Sequence, residues 1–268
     1  MARLVANINM QQITVTFHGR LVDYLVLDGQ TAEIAYTLNG PTAVKHAIEA
    51  LGVPHTEVEC ILANNRSVGF SYILRESDHI GIYPVIPAGA LNPVRLRPPL
   101  PAPVRFVADN HLGRLVTYLR LLGFDVLHAK YMDDAQLAEF SAQQGRILLS
   151  RDRRLLMRRI VIHGYCLQSR DPLQQLESVL DRFDLYQDIR PWKRCLRCNG
   201  LLRPVPKEEI LQRLEPKTKK YYHEFHMCQE CQQIYWKGSH YEPLHDLVRE
   251  ILATRPPDPD DSQGKGIG

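Results

Sequence analysis

The sequence lacks any apolar run near the roughly 18 residues that a bilayer-spanning helix needs. Its first residues, MARLVANINMQQ, lack the continuous apolar core of a secretory signal peptide. It also lacks a strong excess of either charge, since the formal net charge is +3. We therefore expect a cytoplasmic protein without a membrane partner, and this charge neither requires nor excludes a nucleic-acid partner.

The chain does not have the composition of a disordered protein. Of its 268 residues 44% are hydrophobic, which suffices for one large domain or a few small ones. The repeated prolines of IPAGALNPVRLRPPLPAP, residues 86–103, favour an extended connector. The last stretch, RPPDPDDSQGKGIG, has almost nothing to bury and is typical of a disordered tail.

The segment before the connector shows short alternating stretches typical of strands. They surround one helical pattern, PTAVKHAIEALGV, in which Val44, Ile48 and Leu51 share a face. A few strands with a single helix across them indicate a small α+β domain of ubiquitin size.

The middle of the chain shows a different pattern of apolar residues. VRFVA, FDVLH and RILLS are short apolar segments, and HLGRLVTYLRLLG and DDAQLAEFSAQQG between them carry apolar residues at helical spacing. Because crossover connections are right-handed, this β-α-β-α-β order predicts a parallel sheet with helices packed against it. Ligands of such open sheets bind outside the carboxyl ends of the strands.

Acidic residues occur where that rule places a ligand. Asp109 follows the first strand, Asp133 and Asp134 begin the second helix, and Asp152 follows the third strand. Each has an alternative role as a helix N-cap. If they converge, their repulsion calls for a divalent cation. Oxygen ligands suit Mg²⁺ or Mn²⁺, and such a site supports phosphodiester hydrolysis.

Arginines accompany these acidic positions. Arg114 is near the first, and Arg151 and Arg153 flank the last. They are suited to hold a polyanionic backbone, and equally suited to form a solvated basic helix face.

The cysteine spacing indicates a metal site. RCLRCNG and MCQECQQIYW contain two CxxC pairs, formed by Cys195, Cys198, Cys228 and Cys231. Two such pairs complete a tetrahedral Zn²⁺ site, whereas a redox CxxC would need no second copy. We predict a structural zinc ribbon. Trp236, in IYWKGSHY, is interpreted either as a base-stacking residue or as part of the small ribbon core.

At these residues the sequence resembles a known family. FVADNHLGRLVTYLRLLGFD, DDAQLAEFSAQQGRILLSRD, RCLRCNG and CQQIYWKGSH are similar to the Mut-seven C-terminal ribonuclease domain, a PIN-like nuclease fold with an added zinc ribbon. ANNRSVGFSYILRESDHIGIYPV resembles the ubiquitin-like β-grasp domain related to sulfur carriers. Sulfur carriers end in a free Gly-Gly, whereas PAGALNP continues into a linker here, so sulfur transfer is not expected.

The resemblance implies a metal-dependent ribonuclease whose acidic residues bind Mg²⁺ or Mn²⁺. Carried over by motif, Asp109 and Asp152 are ligands, and the remaining slot falls on Asp133 or Asp134. We favour Asp134 as the ligand and Asp133 as the helix cap, with Asp171 a candidate for a fourth acidic residue.

RNA is the partner that the resemblance implies, and the β-grasp domain is a possible site for a protein partner. Two other hypotheses stay open. One is a non-catalytic RNA-binding or adaptor protein that uses the ribbon and the β-grasp domain. The other is a phosphate-handling enzyme that acts on nucleotides.

The expected fold class is α/β: a PIN-like parallel sheet with flanking helices and a zinc ribbon, preceded by a small α+β β-grasp domain. The predicted order is a β-grasp domain at 1–88, a proline-rich linker at 89–103, a PIN-like domain at 104–189, a zinc ribbon at 190–242, a C-terminal helix at 243–254 and a disordered tail at 255–268.

Overall fold

The computed structural model describes residues 11–25, 33–238 and 241–254. The predicted tail at 255–268 lies outside the described residues. None of the described helices is both long and apolar enough to cross a membrane.

The chain divides into two compact units. One combines Met1–Ala102 with Met132–Cys166, and the other combines Pro103–Tyr131 with Leu167–Gly268. Each unit is therefore built from two separate stretches of the chain.

The N-terminal segment of the first unit forms a mixed sheet with one helix. Its elements are β1 (Gln11–Phe17), β2 (Glu33–Leu38), α1 (Val44–Ala50), β3 (Cys60–Ala63), β4 (Arg66–Ser67) and β5 (His79–Tyr83). The strand order is β2-β1-β5-β3-β4, with β1 antiparallel to β2 and parallel to β5. Val44 and Ile48 of α1 are buried, as the helical pattern predicts, whereas Leu51 follows the helix and is half-buried.

The α/β part follows in the predicted alternating order. Its elements are β6 (Arg105–Asp109), α2 (Gly113–Leu121), β7 (Asp125–Ala129), α3 (Asp134–Gln144), β8 (Ile147–Ser150), α4 (Arg153–Leu156), β9 (Gly164–Cys166) and α5 (Pro172–Phe183). In the second unit β6 and β7 are parallel, and α2 packs against β7 and α5. In the first unit β8 and β9 are parallel, and α3 and α4 pack against β8. The expected α/β class, with parallel strands flanked by helices, is confirmed.

The C-terminal part of the second unit is a small antiparallel sheet with short helices. Its elements are β10 (Leu202–Val205), α6 (Lys207–Ile210), α7 (Pro216–Tyr221), β11 (Phe225–Cys228), β12 (Ile234–Trp236) and α8 (Tyr241–Ala253). The strand order is β10-β11-β12. The small core of this part consists of Val205, Ile210, Leu214, Phe225 and Ile234.

Within the first unit, the N-terminal domain packs directly on β9. The Glu57 side chain is fully buried, and its Oε1 accepts a hydrogen bond from the backbone N–H of Cys166 at 2.7 Å. Its Oε2 accepts from Arg20 at 3.1 Å. The Tyr24 hydroxyl donates to the Cys166 carbonyl at 3.2 Å. Strand β9 is therefore held by both main-chain groups of Cys166, which explains why this part of the α/β fold groups with the N-terminal domain.

Residues 89–103, which the structure describes throughout, contain no helix or strand. They are nevertheless tied to the N-terminal domain. The backbone N–H of Val94 donates to the Ser67 hydroxyl at 2.8 Å, and Arg97 bonds the Thr56 carbonyl and the Glu59 carboxylate. The domain boundaries placed around this stretch stay predictions.

Candidate functional site

Asp109 is the last residue of β6 and is partly exposed. It pairs with Ala129, the last residue of the parallel strand β7, so the carboxyl ends of the two strands lie side by side. Asp109 begins a 3-10 turn without a capping bond from its side chain. Arg114 is exposed in the first turn of α2, which follows. Asp109 thus lies at the end of the parallel pair where ligands are expected, and Arg114 follows it in the first turn of α2.

Asp133 and Asp134 are adjacent but have different roles. Asp133 is the N-cap of α3, and its Oδ1 accepts from the backbone N–H of Gln136 at 2.9 Å. The Gln136 side chain accepts in return from the Asp133 N–H at 3.0 Å, which completes a capping box. Asp134 is the exposed first residue of the helix.

Asp152 is the N-cap of the short helix α4 and is exposed. Its Oδ1 accepts from the backbone N–H groups of Arg154 and Leu155 at 2.7 and 3.4 Å. Both of these bonds use the same oxygen, so Oδ2 remains for a ligand. The Asp152 N–H donates to the hydroxyl of Ser150, the last residue of β8.

Asp171 repeats this local geometry at the start of α5. Its Oδ1 accepts from the N–H groups of Leu173 and Gln174, both at 2.9 Å, and its own N–H donates to Ser169. Both sites have the sequence Ser-Arg-Asp, so the cap is a property of this short motif in each case.

The two arginines beside Asp152 differ in their surroundings. Arg151 is exposed. Arg153 is half-buried, its Nη1 donates to the Tyr24 carbonyl at 2.7 Å, and its guanidinium lies over the Tyr24 ring. The side chain of Arg153 therefore joins α4 to the N-terminal domain.

The four cysteines form the group of potential metal ligands that lie closest together in the described residues. The sulfur atoms of Cys195, Cys198, Cys228 and Cys231 all lie within 4.8 Å of one another. Across the described ranges, no three carboxylates come equally close. The four cysteine sulfur atoms are thus already close enough to share one ion, whereas the acidic side chains of the described residues are not grouped in this way.

The distances between the sulfur atoms fit one tetrahedral ion. Those of Cys195 and Cys231 are 3.6 Å apart, and those of Cys198 and Cys228 are 3.3 Å apart. Zinc–sulfur bonds of about 2.3 Å in a tetrahedron place sulfur atoms about 3.8 Å apart. The cluster can therefore bind a zinc ion with four ligands and no open position.

Local turns shape both halves of the cluster. Asn199 and Gln232 directly follow the second cysteine of each pair and have φ angles of 76° and 57°. Their N–H groups donate to the carbonyls of Cys195 and Cys228. In each CxxC pair, the chain turns at a residue in the left-handed conformation. This turn brings the two sulfur atoms of the pair to the same side.

Tyr235 supports the cluster from β12. Its hydroxyl lies 3.1 Å from the Cys195 sulfur and accepts from the backbone N–H of Leu196 at 3.1 Å. Burial acts to raise the pKa of Cys195, but hydrogen bonds, with that of Tyr235 the largest, lower it to about 7. This sulfur is therefore readily ionised, as zinc binding requires.

Arg120 and Asn199 anchor the cluster, and sequence reasoning did not single them out. Arg120 is 5% exposed and donates to the carbonyls of Leu196, Arg197 and Val126 at 2.8 to 3.0 Å. Asn199 accepts from the N–H of Val126 and donates to Asp125. The sequence signal for Arg120 is its position within the apolar run LVTYLRLLGF.

Trp236 is 38% exposed and does not belong to the small ribbon core, although its ring contacts Phe225 of that core. His240, in the same motif, lies outside the described residues. Cys60 and Cys166 are both buried, and burial raises the pKa of each, to about 12 for Cys166.

Comparisons with known proteins agree with this architecture. The family model for the Mut7-C RNAse domain matches residues 104–248, more than half of the chain, and the model for the Mut7-C ubiquitin domain matches residues 10–89. Searches of curated proteins and of solved structures give no match. The chain therefore belongs to the Mut7-C RNAse domain family and carries a Mut7-C ubiquitin domain before the RNAse domain.

Proposed function

We propose that this protein is a metal-dependent ribonuclease that hydrolyses phosphodiester bonds in RNA. The membership in the Mut7-C RNAse domain family carries this proposal, since it points to a nuclease with RNA as its substrate. The strand-end positions of Asp109 and Asp152 support it, because they lie where open parallel sheets bind ligands.

Asp109, Asp134 and Asp152 are the proposed ligands of Mg²⁺ or Mn²⁺. Their oxygen atoms suit these hard cations, and each of the three side chains is at least partly exposed. When bound, the cation lowers the pKa of a water molecule and stabilises charge on phosphate. Asp133 remains the α3 cap, because both partners of its capping box are already in place.

The ligands need not touch one another beforehand. Carboxylates that share a cation repel each other when the cation is absent. Asp152 keeps its helix-capping bonds on Oδ1, so a metal can use Oδ2 without breaking the cap. The cap also fixes the direction of the carboxylate at the end of β8.

Arg114 and Arg151 are proposed to contact the phosphate backbone. Both guanidinium groups are exposed, and each lies within five residues of a proposed ligand in the sequence. Arg153 is proposed to act indirectly, since its guanidinium is bonded to Tyr24.

The zinc ribbon is proposed to be structural. Four cysteine ligands leave no position for water or substrate on the ion. Activity should therefore depend on added Mg²⁺ or Mn²⁺ in protein that already holds its zinc.

The test is cleavage of end-labelled single-stranded RNA by zinc-loaded protein, with and without Mn²⁺. Wild type should cleave only with the cation. Asp152→Asn should lower the rate by more than about 100-fold, the upper end for a residue that merely supports a metal ligand. Equal cleavage by both proteins would refute the assignment. Hydrolysis of mononucleotides but not of RNA would instead favour the nucleotide-acting enzyme.

A second candidate, a non-catalytic RNA-binding protein, is favoured by one observation. Asp133 and Asp152 both make the capping bonds expected of purely structural aspartates. RNA binding without cleavage under any metal condition would support this candidate and exclude the first.

A further inference from the structure

The second unit contains a cavity of about 320 Å³ between the zinc ribbon and the start of α8. Its walls include the rings of Trp192, Tyr235, Trp236 and Tyr241. The two tryptophans are the only ones in the chain. The Tyr235 hydroxyl contacts the Cys195 sulfur, and the proposed catalytic mechanism uses none of the four rings.

Trp192 is held in this wall at a conformational cost. Its φ angle is 62°, a left-handed conformation that bulky side chains rarely adopt. Its N–H donates to the Leu121 carbonyl at 3.1 Å, and its ring stacks on Tyr241 with centroids 4.6 Å apart. The surrounding structure thus fixes the position of the ring, which suits a preformed binding surface.

The polar side chains that line the cavity are those of Arg194, Glu224, His226 and Lys237. Lys237 and His226 are both exposed. Lys237 makes a 2.8 Å ion pair with Glu224, and both side chains of the pair are more than 60% exposed. Exposed pairs of this kind contribute little stability, so the ammonium group can exchange its carboxylate for a phosphate. The cavity therefore combines aromatic walls with an available positive charge.

The size of the cavity limits what it can hold. It is at the lower end of the range for small-ligand sites, so it suits one planar ring system better than a folded partner. Flat aromatic walls with a neighbouring cation are how proteins bind single-stranded nucleic acids, because every base has a face that can stack.

We propose that this cavity is a base-binding subsite that takes a nucleobase of single-stranded RNA, with Lys237 contacting a flanking phosphate. The proposal rests on the proposed function and makes it more specific, since a base paired in a duplex cannot enter the cavity. The substrate class would thus be unpaired RNA.

The test uses intrinsic tryptophan fluorescence, because both tryptophans line the cavity. Zinc-loaded full-length protein is titrated with a ten-nucleotide single-stranded RNA and with the same sequence as a duplex, without Mg²⁺ or Mn²⁺. We expect the single strand to quench the fluorescence, and the duplex to bind at least tenfold more weakly in the same titration. No quenching by either, or equal quenching by both, would overturn the proposal.

Variants locate the effect at the cavity. In fluorescence anisotropy with labelled RNA, Trp236→Leu should weaken binding by about 10-fold, and Trp236→Phe should retain most of it, since a phenyl ring still stacks. Tyr221→Leu is the control, because Tyr221 is 64% exposed elsewhere in the same unit. Equal binding by Trp236→Leu and Tyr221→Leu would contradict the subsite.

Lys237→Gln gives a second measure that does not disturb the aromatic packing. It should reduce the slope of log affinity against log salt by about 1, the loss of one phosphate contact. An unchanged slope would remove Lys237 from the subsite.

The outcomes separate this proposal from the ribonuclease activity. The binding assays contain no divalent cation and need no cleavage. Binding at the cavity by a protein that never cleaves RNA would retain the subsite and refute the nuclease. Cleavage that is unaffected by Trp236→Leu, together with unchanged fluorescence, would refute the subsite alone.

Discussion

Arg153 donates a hydrogen bond from Nη1 to the backbone carbonyl of Tyr24 at 2.7 Å, and its guanidinium lies 5.1 Å from the centre of the Tyr24 ring. The two residues are 129 positions apart in the sequence. Since Arg153 directly follows Asp152, the N-terminal domain holds the residue next to a proposed metal ligand. The ubiquitin-like domain thus contributes to the position of α4.

Removal of this contact should loosen α4. Arg153→Met loses the hydrogen bond and the stacking on Tyr24, and should lower the free energy of unfolding by about 1–3 kcal/mol. Hydrogen exchange, measured by mass spectrometry, should become faster in α4 and β9. Arg154→Met is the control, since Arg154 is exposed on the same helix. Identical exchange in the two variants would show that the contact does not hold α4.

Glu57 should be more important for stability than a surface glutamate. Its buried carboxylate binds the Cys166 N–H and Arg20, and hydrogen bonds to charged groups contribute more than neutral ones. Glu57→Gln should cost about 1–3 kcal/mol in urea unfolding. Glu76→Gln, at an exposed position, should leave the midpoint unchanged. A midpoint for Glu57→Gln equal to that of wild type would contradict this account.

Arg120 should control how firmly the zinc ribbon is held. Arg120→Met removes the donors to the carbonyls of Leu196, Arg197 and Val126, and the loss of the buried bond to Val126 alone should cost about 1–3 kcal/mol. Zinc release to a chromogenic chelator should be faster than in wild type. The exposed side chain of Arg197 serves as a comparison, and Arg197→Met should release zinc at the wild-type rate. Equal rates in all three proteins would exclude an anchoring role.

The six cysteines should react with a thiol reagent in two groups. In zinc-loaded protein, all six thiols should react slowly. After zinc removal the four cluster cysteines should react, whereas Cys60 and Cys166 should react only in denaturant, because burial raises the pKa of both thiols. Counting modified thiols at each stage checks this. Fast reaction of all six upon zinc removal would contradict it.

Local sequence predicts the elements that carry the site, because the relevant signals are short in range. The segments VRFVA and RILLS end at Ala108 and Ser150, one residue before Asp109 and two before Asp152, and their apolar character predicts both strands. The sequence predicts Asp133 as the cap of α3, and the structure adds the return bond of Gln136 that completes the capping box. The CxxC spacing likewise predicts the cysteine cluster.

Long-range contacts could not be predicted in the same way. The strand β9 has only three residues, too few to show a periodic pattern. The bond of Arg153 to Tyr24 depends on how two distant segments pack. From the sequence, Arg153 could not be distinguished from the other arginines beside Asp152. The left-handed conformation of Trp192 is imposed by its surroundings, against the preference of the residue itself.

The most direct test of the central claim compares three asparagine variants in Mn²⁺-dependent cleavage of single-stranded RNA by zinc-loaded protein. Asp109→Asn and Asp152→Asn each remove one charge, and Asp152→Asn keeps the helix cap because asparagine caps about as well as aspartate. Asp184→Asn is the control, because Asp184 is exposed at the end of α5 in a left-handed conformation that asparagine also adopts. We predict that Asp109→Asn and Asp152→Asn lose cleavage by more than about 100-fold while Asp184→Asn keeps it. Wild-type cleavage rates in Asp109→Asn and Asp152→Asn would contradict the account.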